Sequence, residues 1–194
     1  MRIIRAADCR RMPWKNGGGE TIEIAVHPAA AGLDDFDWRV SMARVEVDGP
    51  FSQFAGIDRT LAILEGEGMT LEIDGRSPVT LTVGSPPFSF PADVATAASL
   101  IGGPITDLNV MSRRSRSTHS VIRFAIQEPA ELVARAQATF ILCQSGSARA
   151  TADGQKYEIG RPDSLLIEAG GKIALEAKAP GVFLKVEILQ TSPS

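Results

Sequence analysis

The sequence predicts an all-β protein built from two copies of one β unit, and three observations carry that reading. Runs such as "ETIEIAV", "DWRVSMARVEV", "RTLAILEGEGMTLEID", "TFILCQSGSARAT", "DSLLIEAG", "KIALEAK" and "GVFLKVEIL" are short, rich in Val, Ile, Leu and Thr, and separated by Gly, Pro, Asp and Ser. "TLAILEGEGMTLEIDG" (60–75) aligns with "TFILCQSGSARATADG" (139–154) at a constant offset of 79 residues, each running from Thr through an apolar stretch and a small-residue turn to Asp-Gly. Gly84 of "VTLTVGSPPFSF" then corresponds to Gly160 of "YEIGRPDSLLI", each ending a strand ahead of a Pro-containing turn. A period of this size marks duplicated domains, because solenoid repeats run about 20–50 residues.

The copies divide the chain into residues 1–112 and 113–194. At most one or two short helices fit; the best candidate is "PAELVARAQA" (129–138), which starts at a proline as a first helical turn can. With 194 residues the chain buries roughly 70% of its unfolded surface without a covalent staple. The net charge of −3 and the lack of a basic block argue against nucleic acid or anionic membrane as partners. "SRRSRS", with Arg113, Arg114 and Arg116, reads as a solvated turn. Cys9 and Cys143 lack C-x-x-C spacing and read as reduced thiols, and no run approaches the roughly 20 apolar residues of a membrane helix. A cytoplasmic protein is expected.

In chain order, the first unusual element is "PWKNGGGET" (13–21). Its lysine precedes the glycines and a strand follows them, which is the wrong order for a phosphate-binding P-loop. Two readings remain. Pro13 stiffens a loop in which Trp14, Lys15, Asn16 and the N–H groups of Gly17 to Gly19 meet an anion, or the stretch is a turn with Trp14 plugging the core.

The strand "DWRVSMARVEV" places Arg39, Ser41, Ala43, Val45 and Val47 on one face. That face is apolar toward its C-terminal end and is taken as inward, so Arg39 and Ser41 lie near one mouth of the unit. An inward arginine needs a partner, either a ligand or an internal carboxylate such as Glu23 or Asp107. "GPFSQFAGIDR" brings Phe51 and Phe54 ahead of Arg59, the two rings reading as core or as a ligand platform. In "ITDLNVMSRR", Asp107, Asn109 and Met111 share a face; Asp and Asn are depleted in strands, so the pair suggests a hydrogen-bonding site or a bulge. In the second copy Phe140, Leu142, Leu165, Ile167, Phe183 and Leu184 read as core.

The succession of strand, Gly-x-Gly turn, strand, Asp-Gly turn, strand and Gly-x-Pro turn resembles the cupin superfamily, whose members are small jelly-roll barrels; a duplicated pair is a bicupin. Most cupins hold a metal through an H-x-H pair, a Glu and a later His. Here His27 and His119 are the only histidines and each is solitary, so no metal or other cofactor is expected. "PWKNGGGETIEI", "FDWRVSMARVEVDGPFSQFAGIDRTLAILEGEG" and "ITDLNVMSRR" together resemble the HutD/Ves family of bacterial proteins, often encoded among histidine-utilisation genes. The resemblance runs from about Trp14 to Arg114. It departs at "FPAD", where Ala92 stands in place of the family's usual Gly.

The resemblance implies a metal-free bicupin that binds a small acid from histidine breakdown, such as formylglutamate or urocanate, in a regulatory role. Trp14, Lys15, Asn16, Gly17, Arg39, Ser41, Arg59, Asp107 and Asn109 would line the site in the first copy, with Arg39 as the carboxylate anchor. The alternatives are a metal-independent isomerase or hydrolase with Asp107 or Glu23 as general base, and an interaction protein without ligand. Cupins often dimerise through strand edges, so a homodimer is a further implication.

Overall fold

The computed structural model describes residues 1–191. The first half carries β1 (Arg2–Ile4), β2 (Arg10–Pro13), β3 (Gly19–His27), β4 (Trp38–Val45), β5 (Gly49–Pro50), β6 (Ile57–Glu65), β7 (Met69–Ile73), β8 (Val79–Leu81), β9 (Phe88–Pro91), β10 (Thr96–Leu100) and β11 (Ile105–Arg113). The second half carries β12 (Ser117–Ala125), β13 (Ala130–Val133), β14 (Ala138–Cys143), β15 (Ser147–Ala152), β16 (Gln155–Gly160), β17 (Ser164–Glu168), β18 (Lys172–Ala179) and β19 (Val182–Gln190). Among the described residues the helical content is one 3₁₀ turn, Ala6–Asp8, so the protein is all-β. No helix among them is long and apolar enough to cross a membrane.

Two compact units emerge. One, Arg10–Thr118 with Thr191, contains a six-stranded sheet in the order β2-β3-β4-β11-β6-β9 and a four-stranded sheet in the order β5-β10-β7-β8. Its core draws on both sheets: Ala43, Val45, Leu61, Ile63 and Phe90 from the first meet Met69, Leu71, Leu81 and Ala98 from the second. The other unit, Met1–Cys9 with His119–Gln190, has the sheets β1-β17-β14-β19-β12 and β13-β18-β15-β16 around Ile141, Cys143, Leu165, Ile173, Leu175 and Phe183. The two-sheet architecture thus occurs twice, as the internal repeat implies.

Three expectations differ from the structure. The first nine residues do not join the first unit: β1 pairs antiparallel with β17, Ile3 opposite Leu165, and Met1 and Ile3 pack on the second core. The boundary also lies at 118/119 and not at 112/113. Residues 129–138 are not a helix, because β13 pairs with β18, Leu132 facing Ile173, and the chain enters β14 at Ala138. Local helix propensity is weak enough for sheet pairing to override it.

The constant 79-residue offset is the third. It matches β7 to β15, placing the buried Met69 and Leu71 over Ala148 and Ala150. In β6 and β14 it sets the core residue Leu61 over Phe140, whereas the core-facing residues of β14 are Ile141 and Cys143. The correspondence there is one residue longer, and a one-residue slip swaps the faces of a strand. Gly66 and Gly146 fix it: both have positive φ, and a Cβ on either would collide with a carbonyl oxygen, of Pro104 or of Pro180. Phe140, Leu142 and Leu184 are buried as expected, but on the opposite face from Ile141 and Phe183.

Ala92 carries no strain. It is buried with Phe36, Ile57 and Met111, and its backbone N–H donates to Ile57 O at 2.9 Å. The neighbouring Asp93 receives Arg114, which also pairs with Asp58, while Arg116 pairs with Asp37. These ion pairs neutralise the "SRRSRS" turn.

Candidate functional site

Register builds the site. Reading across β4, β11 and β6, one row is Arg39–Met111–Arg59, the next Ser41–Asn109–Leu61, and the next Ala43–Asp107–Ile63. Side chains two apart on a strand share a face, so these rows stack along one wall. Apart from Leu61 and Ile63, their residues line a cavity of about 520 Å³, with Phe51, Ser52, Phe54, Trp14, Lys15, Asn16 and Leu33 also in its lining. The inward face read from "DWRVSMARVEV" is therefore the cavity face as far as Val45; Val47, beyond the strand end, is exposed. A larger depression of about 830 Å³ borders Glu72, Asp74 and Arg76, but those ionisable groups are exposed.

The two arginines occupy different environments. Arg39, 7% exposed, donates from Nε to Glu23 Oε2 at 2.8 Å, so of the two carboxylates considered its partner is Glu23. A register shift between Glu23 and Ala25 on β3 accompanies this contact. Arg59, 4% exposed, meets no carboxylate in direct contact among the described residues. Its guanidinium sits 5.1 Å from the Phe51 ring centre, 5.5 Å from Phe54 and 5.9 Å from Phe90, a three-ring cation–π cage. Nη2 makes long contacts to Ser52 O at 3.4 Å and Met111 Sδ at 3.9 Å, and Nε has no partner. Burial lowers its pKa to about 10, partly offset by Asp107 and reinforced by Arg39.

Asp107 is completely buried. Oδ1 accepts from Asn109 Nδ2 at 3.2 Å, while Oδ2 and Asn109 Oδ1 have no partner. Desolvation pushes its carboxyl up to about 7 against the opposing pull of Asn109, Arg59 and the Ala43 backbone. A buried polar atom without a partner costs free energy, and Arg59 Nε, Asp107 Oδ2 and Asn109 Oδ1 are three such atoms in residues that line one cavity.

The glycine triplet behaves as a turn. Gly17 has φ +71° and its N–H donates to Trp14 O; Gly18 N–H is taken by Asn16 Oδ1 at 3.0 Å. A Cβ on Gly19 would strike Arg44 O. The expected row of free N–H donors is therefore largely spent within the hairpin, and Gly17 does not line the cavity. The turn presents its flanks instead: Trp14, fixed by an Nε1–H bond to Thr21 Oγ1 at 2.8 Å, with Lys15 and Asn16. The structure thus brings together every expected site residue except Gly17. Sequence reasoning missed Phe90 and treated Phe51 and Phe54 only as core or platform; two phenylalanines flanking a turn ahead of a strand arginine were the available signal.

The HutD family model matches residues 6–184. The chain belongs to the HutD family. An uncharacterized 21.2 kDa protein in the hutC 3′ region of Pseudomonas putida is 32% identical over 190 residues, covering 97% of each chain. Protein Ves of Citrobacter koseri is 35% identical over 175 residues, covering 86% of this chain and 89% of its own. A crystal structure of a conserved Pseudomonas aeruginosa protein of unknown function superposes with a TM-score of 0.88 at 33% identity, covering 97% and 98% of the two chains. At 12% identity, a cupin 2 conserved barrel domain protein from Leptotrichia buccalis shares the fold, with a TM-score of 0.61 and 94% and 96% of the chains covered.

The metal common to cupins does not fit this cavity. Its charged donors are Lys15, Arg39, Arg59 and the single carboxylate of Asp107, with no imidazole or thiolate. One carboxylate beside the cations Lys15 and Arg59, with Arg39 already paired to Glu23, offers a divalent ion too few donors and an unfavourable field.

Proposed function

We propose that this HutD-family protein binds a small carboxylate, such as the histidine-breakdown intermediates formylglutamate or urocanate, in a metal-free cavity and acts as a regulatory binding protein of the cytoplasm. The observation that carries the reading is Arg59: a buried guanidinium, caged by three phenyl rings and left without a carboxylate, lining a cavity large enough for a small molecule. Arg59 thereby replaces Arg39 as the primary anchor, because Arg39 already gives its Nε to Glu23. Arg39 supports the bound anion from the other end of the same row, Lys15 adds charge, and Ser41 and Asn109 orient the ligand. The relative named for the hutC 3′ region supports choosing histidine-breakdown acids as the first candidates.

The test is a thermal-shift and calorimetric screen of histidine-pathway acids and other small carboxylates. A ligand at 100 times its Kd adds about 2.7 kcal/mol of stability. Binding that disappears in Arg59→Met while the variant stays folded supports the reading; no shift from any acid sinks it.

One observation favours a second reading. An acid near pH 7 with a free oxygen facing a cavity is a group suited to proton transfer, so Asp107 rather than Glu23 would be the acid–base residue of an isomerase or hydrolase. NMR of candidate acids incubated with the protein in D2O separates the two: solvent deuterium entering the acid for an isomerase, or new product signals for a hydrolase, either one lost in Asp107→Asn, marks turnover.

A further inference from the structure

Asp107 lines the same cavity as Arg59 and feels its charge without touching it. The charged side chains around the cavity come from each neighbouring element: Arg59 on β6, Arg39 on β4 with Glu23 of β3 paired to it, and Lys15 in the β2–β3 turn. Glu65, at the end of β6, lies beyond a register shift that separates it from the Asp107–Ile63 pair. The facing four-stranded sheet contributes apolar Met69, Leu71 and Ala98. Of these, Arg59 supplies the cationic support that favours the Asp107 anion. A ligand carboxylate on Arg59 takes up that support and adds a negative charge. Two carboxylates in one desolvated cavity cannot both stay ionised at little cost.

Resting on the carboxylate-binding reading above, we propose that Asp107 is the specificity-determining residue of this cavity: the occupied site holds it as the neutral acid, so the anion enters together with one proton. The geometry agrees. Oδ2 is the atom without a partner, so the proton resides there and donates to the ligand, while Oδ1 keeps its bond from Asn109. The site therefore selects small acids that place a hydrogen-bond acceptor, such as a second carboxylate or an amide oxygen, near Asp107. It disfavours those that place an ammonium there.

The sign follows from the free state. Below about pH 7 Asp107 already carries its proton and affinity is flat; above it, binding must take the proton from solvent and affinity falls, approaching tenfold per pH unit. Keeping measurements below pH 9 leaves Arg59 charged.

The experiment is calorimetric titration with formylglutamate, and with acetate as a one-group comparator, at pH 8 in buffers of different ionisation enthalpy. The expected result is uptake of about one proton per bound formylglutamate, a fall in affinity of about tenfold between pH 7.5 and 8.5, and loss of that slope in Asp107→Asn. If the variant does not fold, the wild-type buffer series decides alone. Binding without proton uptake overturns the proton linkage and leaves the carboxylate reading standing. Absence of binding by any acid at any pH overturns the carboxylate reading and the linkage with it.

Discussion

The two units share a register and differ in what they do with it. With β6 matched to β14 through Gly66 and Gly146, the partners of β6 on β11 correspond to the partners of β14 on β19. Arg59 then corresponds to Thr139, Met111 to Glu187, Asn109 to Lys185 and Asp107 to Phe183. In the second unit the polar pair satisfies itself, Lys185 to Glu187 at 3.0 Å, and Phe183 packs its ring 5.9 Å from Phe124. In the first unit the same places hold a caged arginine and a buried acid with free atoms. At these matched positions one copy holds a ring, an ion pair and a lone hydroxyl, Thr139 Oγ1, without a partner, and the other holds charged and amide groups lining a cavity. What distinguishes them is about four side chains on two strands, not a change of topology.

The largest effect expected on stability lies in the filled unit. Phe183→Ala removes a completely buried ring and should lower unfolding free energy by about 3–5 kcal/mol in denaturant titration, with carboxylate affinity of the folded protein unchanged. Leu142→Ala, also buried, should cost about 2–5 kcal/mol in the same way. A selective loss of binding in either would place function in the wrong unit and break the contrast.

The largest effect expected on binding lies in the other. Arg59→Met should weaken carboxylate binding by roughly 2–5 kcal/mol, and Thr139→Val at the matched position should leave it intact. Arg59→Lys should restore only part, because an ammonium cannot supply the two-donor planar fork. Calorimetry on the three variants side by side checks the assignment.

Asp107 gives a pH signature that Phe183 cannot. Its folded pKa of about 7 lies above the value near 3.8 of an exposed aspartate, so between those limits the folded state binds more protons than the unfolded one. Its contribution is full below about pH 4 and is lost as pH rises toward 7, by up to about 4 kcal/mol. Asp107→Asn should flatten that decline and leave the protein more stable than the wild type at pH 8. A stability profile unchanged by the substitution would show that Asp107 is ionised in the folded state. The smallest effect is expected at Ala92→Gly, which removes a buried methyl and frees the unfolded backbone; roughly 1 kcal/mol of stability should be lost without change in affinity.

How much of this was legible depends on the range of the interaction. The inward face of β4, with Arg39 and Ser41, and the shared face of Asp107 and Asn109 on β11 followed from strict alternation, a local property; that the two faces form one wall came from the pairing of β4 with β11. The ring cage did not, since Phe51, Phe54 and Phe90 meet Arg59 only after β6 pairs with β9 and the preceding turn folds back. The choice between Arg39 and Arg59 as anchor depended on a register shift in β3 that no residue pattern announces. Residues 129–138 read as helix because Ala, Glu, Leu and Arg favour it, and only the ladder to β18 overrules them. The slip between repeats was hidden by a turn in which both copies carry glycine, at positions one residue apart in the alignment.

The pairing of β1 with β17 has a consequence for biosynthesis. Residues 2–4 are made well before their partners, 164–166, so this strand must wait while the intervening unit, Arg10 to Thr118, becomes able to fold. Closing so long a loop costs entropy that grows only slowly with length, but contacts this distant in sequence form slowly. Until then β17 keeps an open edge with Leu165 and Leu166 available to other chains. Joining residue 190 to residue 1 and opening the chain at the 118/119 boundary would make that pairing local, and refolding yield at high concentration would report how much the late closure matters.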